Sequence, residues 1–169
     1  ILDGGVVFKG GKELCKVNDD GATAIFFMND MPSEYSFTVP LGQNAMPSVT
    51  LIEVTRSIKA TEYNGKVKFD VTFSASGKIG TKGGIKEDDK KAAEKVAEPA
   101  ERELKRKIES SLIPIAEKGC DVFGLENTLR RCCNRFYREN KDRVGEIIAE
   151  SEIEVNVNID IFSQGIGGA

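Results

Sequence analysis

Residues 49–73 read VTLIEVTRSIKATEYNGKVKFDVTF, two alternating runs with Asn64-Gly65 between them. Apolar and polar side chains alternate along the second run, which is the period of a half-buried β-strand. Even-numbered positions of the first run share one predicted face, namely Thr50, Ile52, Val54, Arg56, Ile58 and Ala60. Because an Asn-Gly pair readily adopts the backbone of a two-residue turn, we predict a long β-hairpin at the centre of an antiparallel sheet.

Three other segments have strand patterns. In residues 6–17, two short apolar runs flank a glycine-containing turn, which is typical of a hairpin. Polar and apolar residues alternate over residues 35–40, and β-branched residues alternate with polar ones over residues 153–161. Both patterns indicate strands with one packed face and one polar face.

The segment 86–118 has a helical period instead, because its apolar residues recur at every third or fourth position. We predict one long amphipathic helix that ends at Gly119. Pro99 and Pro114 lie inside this pattern, and each removes a backbone donor. We therefore expect a kink or a break near both prolines.

Two shorter helical segments complete the pattern. Residues 19–29 favour a helix capped by Asp20 over a buried strand, and Asp121 is expected to cap a helix that continues to Arg138. The chain is thus predicted to have an α+β fold, a largely antiparallel β-sheet with the long amphipathic helix and shorter helices packed on one face. Residues 1–169 are expected to form a single domain.

The composition excludes several classes of function. With 27 acidic and 24 basic residues the formal net charge is −3, so a general basic field that attracts nucleic acid is absent. The chain contains no histidine, which removes Ser-His-Asp catalysis and histidine-ligated metal sites. We predict no enzymatic activity, no cofactor, no metal and no nucleic-acid partner, although a hydrolase with paired carboxylates stays open at this stage.

Two further sets of residues are interpreted as structural. The cysteines contain no CxxC pair, and we expect them to be reduced and packed in the interior. They are Cys15, Cys120, Cys132 and Cys133. The glycines of segment 77–84 do not have the spacing of a phosphate-binding loop, so this segment is interpreted as a mobile connection between a strand and a helix.

Basic residues concentrate in the last predicted helix, where three arginines are expected to share one face. Such a face could contact phosphates, an acidic partner surface or membrane headgroups, and a solvated face that covers core residues is the alternative. Because arginine and tyrosine are frequent anchors of protein interfaces, we predict a partner interface on this helix. Its candidate residues are Arg131, Arg135, Tyr137 and Arg138.

The run CDVFGLENTLRR at residues 120–131 is followed by Phe136-Tyr137 and by the alternating strand 153–161. In this order the segments resemble the C-terminal domain of the Ger(x)C family, the C subunits of bacterial spore germinant receptors. The similarity extends back through the long helix and the central hairpin. Its most specific part is the DVFG turn, whose residues 121–124 are expected to build the corner between two helices.

The resemblance implies a lipoprotein on the outer face of the spore inner membrane, held by a lipid anchor upstream of Ile1. It also implies two integral-membrane partners, the other receptor subunits, and no catalysis. We therefore expect a soluble, non-enzymatic fragment of a longer lipoprotein, which takes part in nutrient-triggered germination through protein contacts at the membrane surface. The alternative is a small-molecule module that binds the germinant between the polar sheet face and the glycine-rich segment.

Overall fold

The computed structural model describes residues 4–9, 11–29, 33–42, 45–85 and 88–162, and most of its helices follow the first five strands. The strands are β1 (Gly5–Lys9), β2 (Lys12–Val17), β3 (Glu34–Thr38), β4 (Ser48–Tyr63), β5 (Lys66–Thr81) and β6 (Glu152–Phe162). The helices are α1 (Asp19–Asn29), α2 (Asp89–Ala116), α3 (Leu125–Cys132), α4 (Asn134–Glu139) and α5 (Val144–Ala149), with a 3₁₀ turn at Lys141–Arg143. The predicted α+β class is confirmed.

The strands form a two-stranded antiparallel sheet, β1-β2, and a four-stranded sheet in the order β3-β4-β5-β6. The predicted hairpin is confirmed, because β4 and β5 are joined at Asn64 and Gly65, whose φ angles are 53° and 77°. Two successive positive φ angles match the twist of the strands on either side. The Gly65 N–H also donates to Glu62 Oε1 at 2.8 Å.

The buried face of β4 changes partway along the strand. Val49 and Leu51 are buried before Glu53, whereas Val54 and Ile58 are buried after it. Glu53 has a φ of 52°, a left-handed backbone that shifts the alternation by one residue. The prediction that positions of one parity share a face along the whole strand is therefore wrong.

The predicted helix over residues 19–29 is confirmed, but its cap is a different residue. Asn18 Oδ1 accepts from the Gly21 N–H at 3.0 Å, so Asn18 caps α1 instead of Asp20. The Asp20 carboxylate accepts from Lys107 Nζ at 2.8 Å on α2. Asp20 therefore forms an ion pair with the long helix and does not cap α1.

The long helix α2 runs through Pro99 and Pro114 without a break, so a break at either proline is a wrong prediction and a kink stays a prediction. A proline inside a helix costs about 3 kcal/mol, whereas each fully buried aliphatic side chain contributes roughly 1.5–3 kcal/mol. Four such side chains form the buried stripe of α2: Leu104, Ile108, Leu112 and Ile115. The helix ends near the predicted stop, where the Gly119 N–H donates to Ala116 O at 2.7 Å and Gly119 has a φ of 64°.

The prediction of a mobile connection is wrong for residues 77–81 of the glycine-rich segment, because β5 continues to Thr81. Gly77 and Gly80 lie inside the strand, where space is tight. A Cβ at Gly80 would approach Ser48 Oγ to 2.8 Å, and one at Gly77 would approach the Ile159 side chain to 3.1 Å. These glycines allow close packing against neighbouring side chains.

The chain divides into two compact units. Unit 1 comprises Ile1–Met31, Arg56–Thr72 and Arg106–Asn156, and unit 2 comprises Pro32–Thr55, Phe73–Lys105 and Val157–Ala169. The core of unit 1 includes Phe27, Phe69, Phe123, Leu125 and Leu129, and that of unit 2 includes Phe37, Val49, Leu51, Phe73 and Leu104. The single domain expected over residues 1–169 stays a prediction.

A candidate arginine-lined groove

The start of α3 is fixed by one carboxylate. Asp121 Oδ1 accepts from the Leu125 N–H at 2.7 Å, and Asp121 Oδ2 accepts from the Glu126 N–H at 2.9 Å. Gly124 precedes the helix with a φ of 72°. Such a cap stabilises a helix by about 0.5–2 kcal/mol. The predicted capping by Asp121 is therefore confirmed, and residues 121–124 lie between α2 and α3.

The helix predicted to continue to Arg138 is interrupted at Cys133, whose φ of −127° and ψ of 52° are not helical. The Cys133 Sγ lies 3.5 Å from Ala60 O on β4 and donates to it. Burial raises the pKa of this thiol. A continuous helix is therefore a wrong prediction, and the Cys133 side chain lies against the strand at the break.

The cysteines differ in burial among the residues whose side chains the structure describes. Cys120 is buried, Cys133 is half-buried and Cys132 is exposed. The expectation of an interior position is wrong for Cys132. The side chain of Cys15 lies outside the described part of the chain.

The second half of β4 contacts α3 and the break in the helix at Cys133. The short strand β3 pairs with residues 48–52 of β4. Further along β4, the carbonyls of Ile58 and Ala60 accept hydrogen bonds from side chains, the first from Arg131 Nη2 at 3.2 Å and the second from Cys133. Side chains of the helical segment thus satisfy backbone acceptors along this edge of the strand.

A groove of about 1090 Å³ opens beside these contacts in unit 1. Its walls come from the end of α1, from β4, from the turn before α3, and from α3 and α4. The lining residues are Met28, Asn29, Arg56, Ser57, Ile58, Phe123, Gly124, Asn127, Thr128, Arg130, Arg131, Asn134, Tyr137 and Arg138. Four of them are arginines and none is acidic, so we call this feature the arginine groove.

The structure brings together three of the four predicted interface residues. Arg131, Tyr137 and Arg138 line the arginine groove. Arg135 lines a neighbouring depression with Phe136 and pairs with Glu139, its Nε lying 2.9 Å from Glu139 Oε1. The shared face expected for the three arginines is therefore not seen, because Arg135 does not line the groove with Arg131 and Arg138. The interface role of all four residues stays a prediction.

Sequence reasoning missed Arg56, which lies on β4 in the groove wall. Its Nη1 is buried, and it has no hydrogen-bond partner in the part of the chain that the structure describes. Burial lowers the pKa of Arg56. A buried donor without an acceptor costs about 1–3 kcal/mol, so an anion that enters the groove would supply what this guanidinium lacks.

Hydrogen bonds hold the groove walls in place. Tyr137 OH donates to Glu126 Oε1 at 2.9 Å, which connects α4 to α3 and raises the pKa of Tyr137. Asn29 Nδ2 donates to Val122 O at 2.8 Å, which connects the end of α1 to the turn before α3. The arginines therefore extend from elements that are connected to one another.

A smaller polar notch of about 460 Å³ lies in unit 2. Its acidic residues are Glu53, Glu101 and Asp160. The Ile159 N–H donates to Glu101 Oε1 at 2.9 Å, and Ser76 Oγ donates to Glu53 Oε2 at 3.3 Å. None of the glycines of segment 77–84 lines this notch, and the alternative of a germinant pocket beside that segment stays a prediction.

No group of three or more potential metal-ligating side chains lies close enough together to hold a metal ion within the described part of the chain. Over the same residues, no helix has both the length and the apolar character needed to cross a membrane.

Comparisons with known proteins identify the family. The family model described as spore germination B3/GerAC like, C-terminal, matches residues 3–165, so the chain belongs to this family. Its fold is similar to that in "Crystal Structure of the GerBC protein", with a TM-score of 0.81, 16% sequence identity and 95% of this chain covered. The match covers 51% of the GerBC chain, so this chain spans about half of that length. A search of curated proteins finds no significant match.

The resemblance drawn from the DVFG turn and the terminal strand is thus confirmed. Membership of this family links the chain to spore germination.

Proposed function

We propose that this chain is the C-terminal part of a germinant-receptor C subunit and that it binds other receptor subunits through the arginine groove. The family match supports the role in germination. The observation that carries the contact surface is a groove with four arginines and no acidic lining residue. Four cations without carboxylates among them favour an acidic partner surface.

The available side chains suit such a contact. Arg130 and Arg138 are exposed, and Tyr137 is half-buried between α3 and α4. Arginine offers planar donors in a fork that matches carboxylates, and tyrosine adds contact area with little loss of side-chain entropy. A groove with walls already in place would also lose little conformational freedom on binding.

The remaining parts of the proposal follow from the resemblance. The full protein would be a lipoprotein anchored at the outer face of the spore inner membrane, and its partners would be the integral-membrane subunits of the receptor. It would act without catalysis. The absence of histidine from the sequence supports this last point.

The test is receptor assembly in spores that carry the variant Arg138→Glu in the full-length subunit. We expect co-purification with the membrane subunits to fall at least fivefold, because a carboxylate in the groove repels the acidic partner. Lys141→Glu is the matched control, since Lys141 is exposed on the 3₁₀ turn and does not line the groove. Arg131 is unsuitable for charge reversal because it donates to Ile58 O.

Normal co-purification of Arg138→Glu would overturn the groove as the contact surface. Arg135→Glu decides how far the surface extends. A loss equal to that of Arg138→Glu would place the neighbouring depression in the interface, and an effect no larger than that of Lys141→Glu would restrict the interface to the arginine groove.

A further inference from the structure

The arginine groove carries information about the chemistry of its ligand. Exposed arginines are satisfied by water, but the Arg56 Nη1 is buried and, within the described residues, lacks an acceptor. The neighbouring Arg131 guanidinium already donates to Ile58 O. Arg56 therefore differs from Arg131 in having a donor that no described residue satisfies, and a shift of this side chain, which lines the groove, would present that donor to an incoming group.

The shape of the groove separates several kinds of anion. A bilayer surface is flat and cannot reach a guanidinium nitrogen buried in a groove wall. A single inorganic phosphate fills a small fraction of about 1090 Å³. An open groove of this size, with arginines contributed by β4, α3 and α4, fits an extended chain with several separate anionic groups.

The groove also has an apolar part. Met28, Ile58 and Phe123 are buried residues that contribute to its lining. Asn127 and Asn134, both exposed, add amide groups that can pair with a peptide backbone. Cationic, amide and apolar groups in one groove match a polypeptide with acidic and apolar side chains better than they match a small anion.

We propose that the arginine groove binds an acidic peptide segment of a partner protein, in extended conformation, with carboxylates on Arg56 and Arg138 and an apolar side chain between them. This inference rests on the proposed function, which it deepens by naming the part of the partner that is recognised. Arg56 pairs with the carboxylate that enters deepest, and Arg130 and Arg138 pair with carboxylates nearer to solvent.

The test uses the purified full chain and a fluorescent peptide of alternating glutamate and leucine, with anisotropy as the readout. The matched probe replaces every glutamate by glutamine. We expect the glutamate peptide to bind at least tenfold more tightly than the glutamine peptide. Arg56→Gln and Arg138→Glu should each weaken binding about tenfold, whereas Lys141→Glu, on the 3₁₀ turn and outside the groove lining, should change it less than twofold.

Several outcomes would overturn the inference. Equal affinity for the two peptides, or no binding of the glutamate peptide, excludes acidic-peptide recognition. Full competition by inorganic phosphate at the concentration of the peptide shows a simple anion site. Phosphatidylglycerol vesicles that bind the chain and lose binding in Arg56→Gln would show a lipid ligand. A thermal melt of Arg56→Gln checks its fold, and Arg138→Glu keeps the test valid if that variant is unstable.

The peptide test and the assembly test fail independently. If the peptide does not bind but Arg138→Glu still disrupts the receptor, the acidic-segment inference is wrong and the proposed function stands. If the peptide binds through Arg56 and Arg138 but receptor assembly is normal in Arg138→Glu, the acidic-peptide site stands and the groove is not the subunit contact.

Discussion

The arginine groove of unit 1 and the polar notch of unit 2 handle their charged groups in opposite ways. In the notch, the carboxylates of Glu101 and Glu53 accept hydrogen bonds from the chain itself, namely from the Ile159 N–H and Ser76 Oγ. In the groove, the Arg56 guanidinium has a buried nitrogen with no such partner in the described residues. Polar lining alone therefore does not mark a binding site, whereas a buried donor without an acceptor points to a missing partner.

The largest effect is expected in the notch. Glu101→Ala should lower the free energy of unfolding by about 1–3 kcal/mol, because the backbone N–H of the buried Ile159 loses its acceptor. Urea denaturation measures the change. Glu98→Ala is the control on the same helix, since Glu98 is 80% exposed in its pair with Arg102 and should cost less than about 0.5 kcal/mol. Equal costs for the two variants would show that Glu101 is not structural.

A smaller effect concerns the change of face in β4. Glu53 has a left-handed backbone, which glycine adopts without steric cost. Glu53→Gly should therefore leave the free energy of unfolding nearly unchanged, whereas Lys59→Gly, in the same strand, should lower it by about 0.5–1 kcal/mol. Thermal melts of both variants check this. A loss in Glu53→Gly that matches the loss in Lys59→Gly would remove the backbone explanation for the change of face.

Within the groove, two arginines should respond differently to the same substitution. Arg131→Met removes the donor to Ile58 O and should lower the free energy of unfolding by about 0.5–1 kcal/mol. Arg56→Met removes a buried donor without an acceptor and should cause no loss. Chemical denaturation of the unliganded chain distinguishes them. If Arg56→Met lowers the free energy of unfolding as much as Arg131→Met does, Arg56 has a structural role. The contrast between an unsatisfied donor in the groove and satisfied carboxylates in the notch would then be wrong.

The smallest effect is the titration of Tyr137. Its hydrogen bond to Glu126 raises the pKa of the phenol in the folded chain above the unfolded value. The stability from this bond is therefore present at pH values below the unfolded pKa and is lost as the pH rises through the folded pKa. An ultraviolet titration of Glu126→Gln should show Tyr137 ionising at lower pH than in the parent chain, with Tyr137→Phe identifying its signal. An unchanged titration would contradict this hydrogen bond.

Much of the fold could be predicted because its signals are local. The hairpin around Asn64-Gly65 and the terminal strand depend on alternation, and the cap at Asp121 depends on residues next to it. The change of face at Glu53 could not be predicted, since it depends on one backbone angle in the folded sheet. The continuity of α2 could not be predicted either, because it depends on how deeply the apolar stripe of the helix is buried. The free energy of this burial outweighs the local cost of Pro99 and Pro114.

The candidate site could be predicted in part. Arg131 and Arg138 belong to a basic run that the sequence shows, but the break at Cys133 depends on contact with β4, and the position of Arg135 outside the groove depends on the tertiary fold. Arg56 lies far from this run in sequence, so only the tertiary fold brings it into the groove. A signal was nevertheless present, because Arg56 occupies a face of the predicted strand otherwise rich in Ile, Val and Ala.

The capping role of Asp121 affects which mutations abolish ligand recognition. Both of its oxygens hold the first turn of α3, and it is not one of the residues that line the groove. A change at Asp121 would displace Arg130 and Arg131 together, because both extend from the helix that it anchors. A screen for variants that fail to recognise their ligand should therefore recover Asp121, a position outside the groove lining, alongside the arginines.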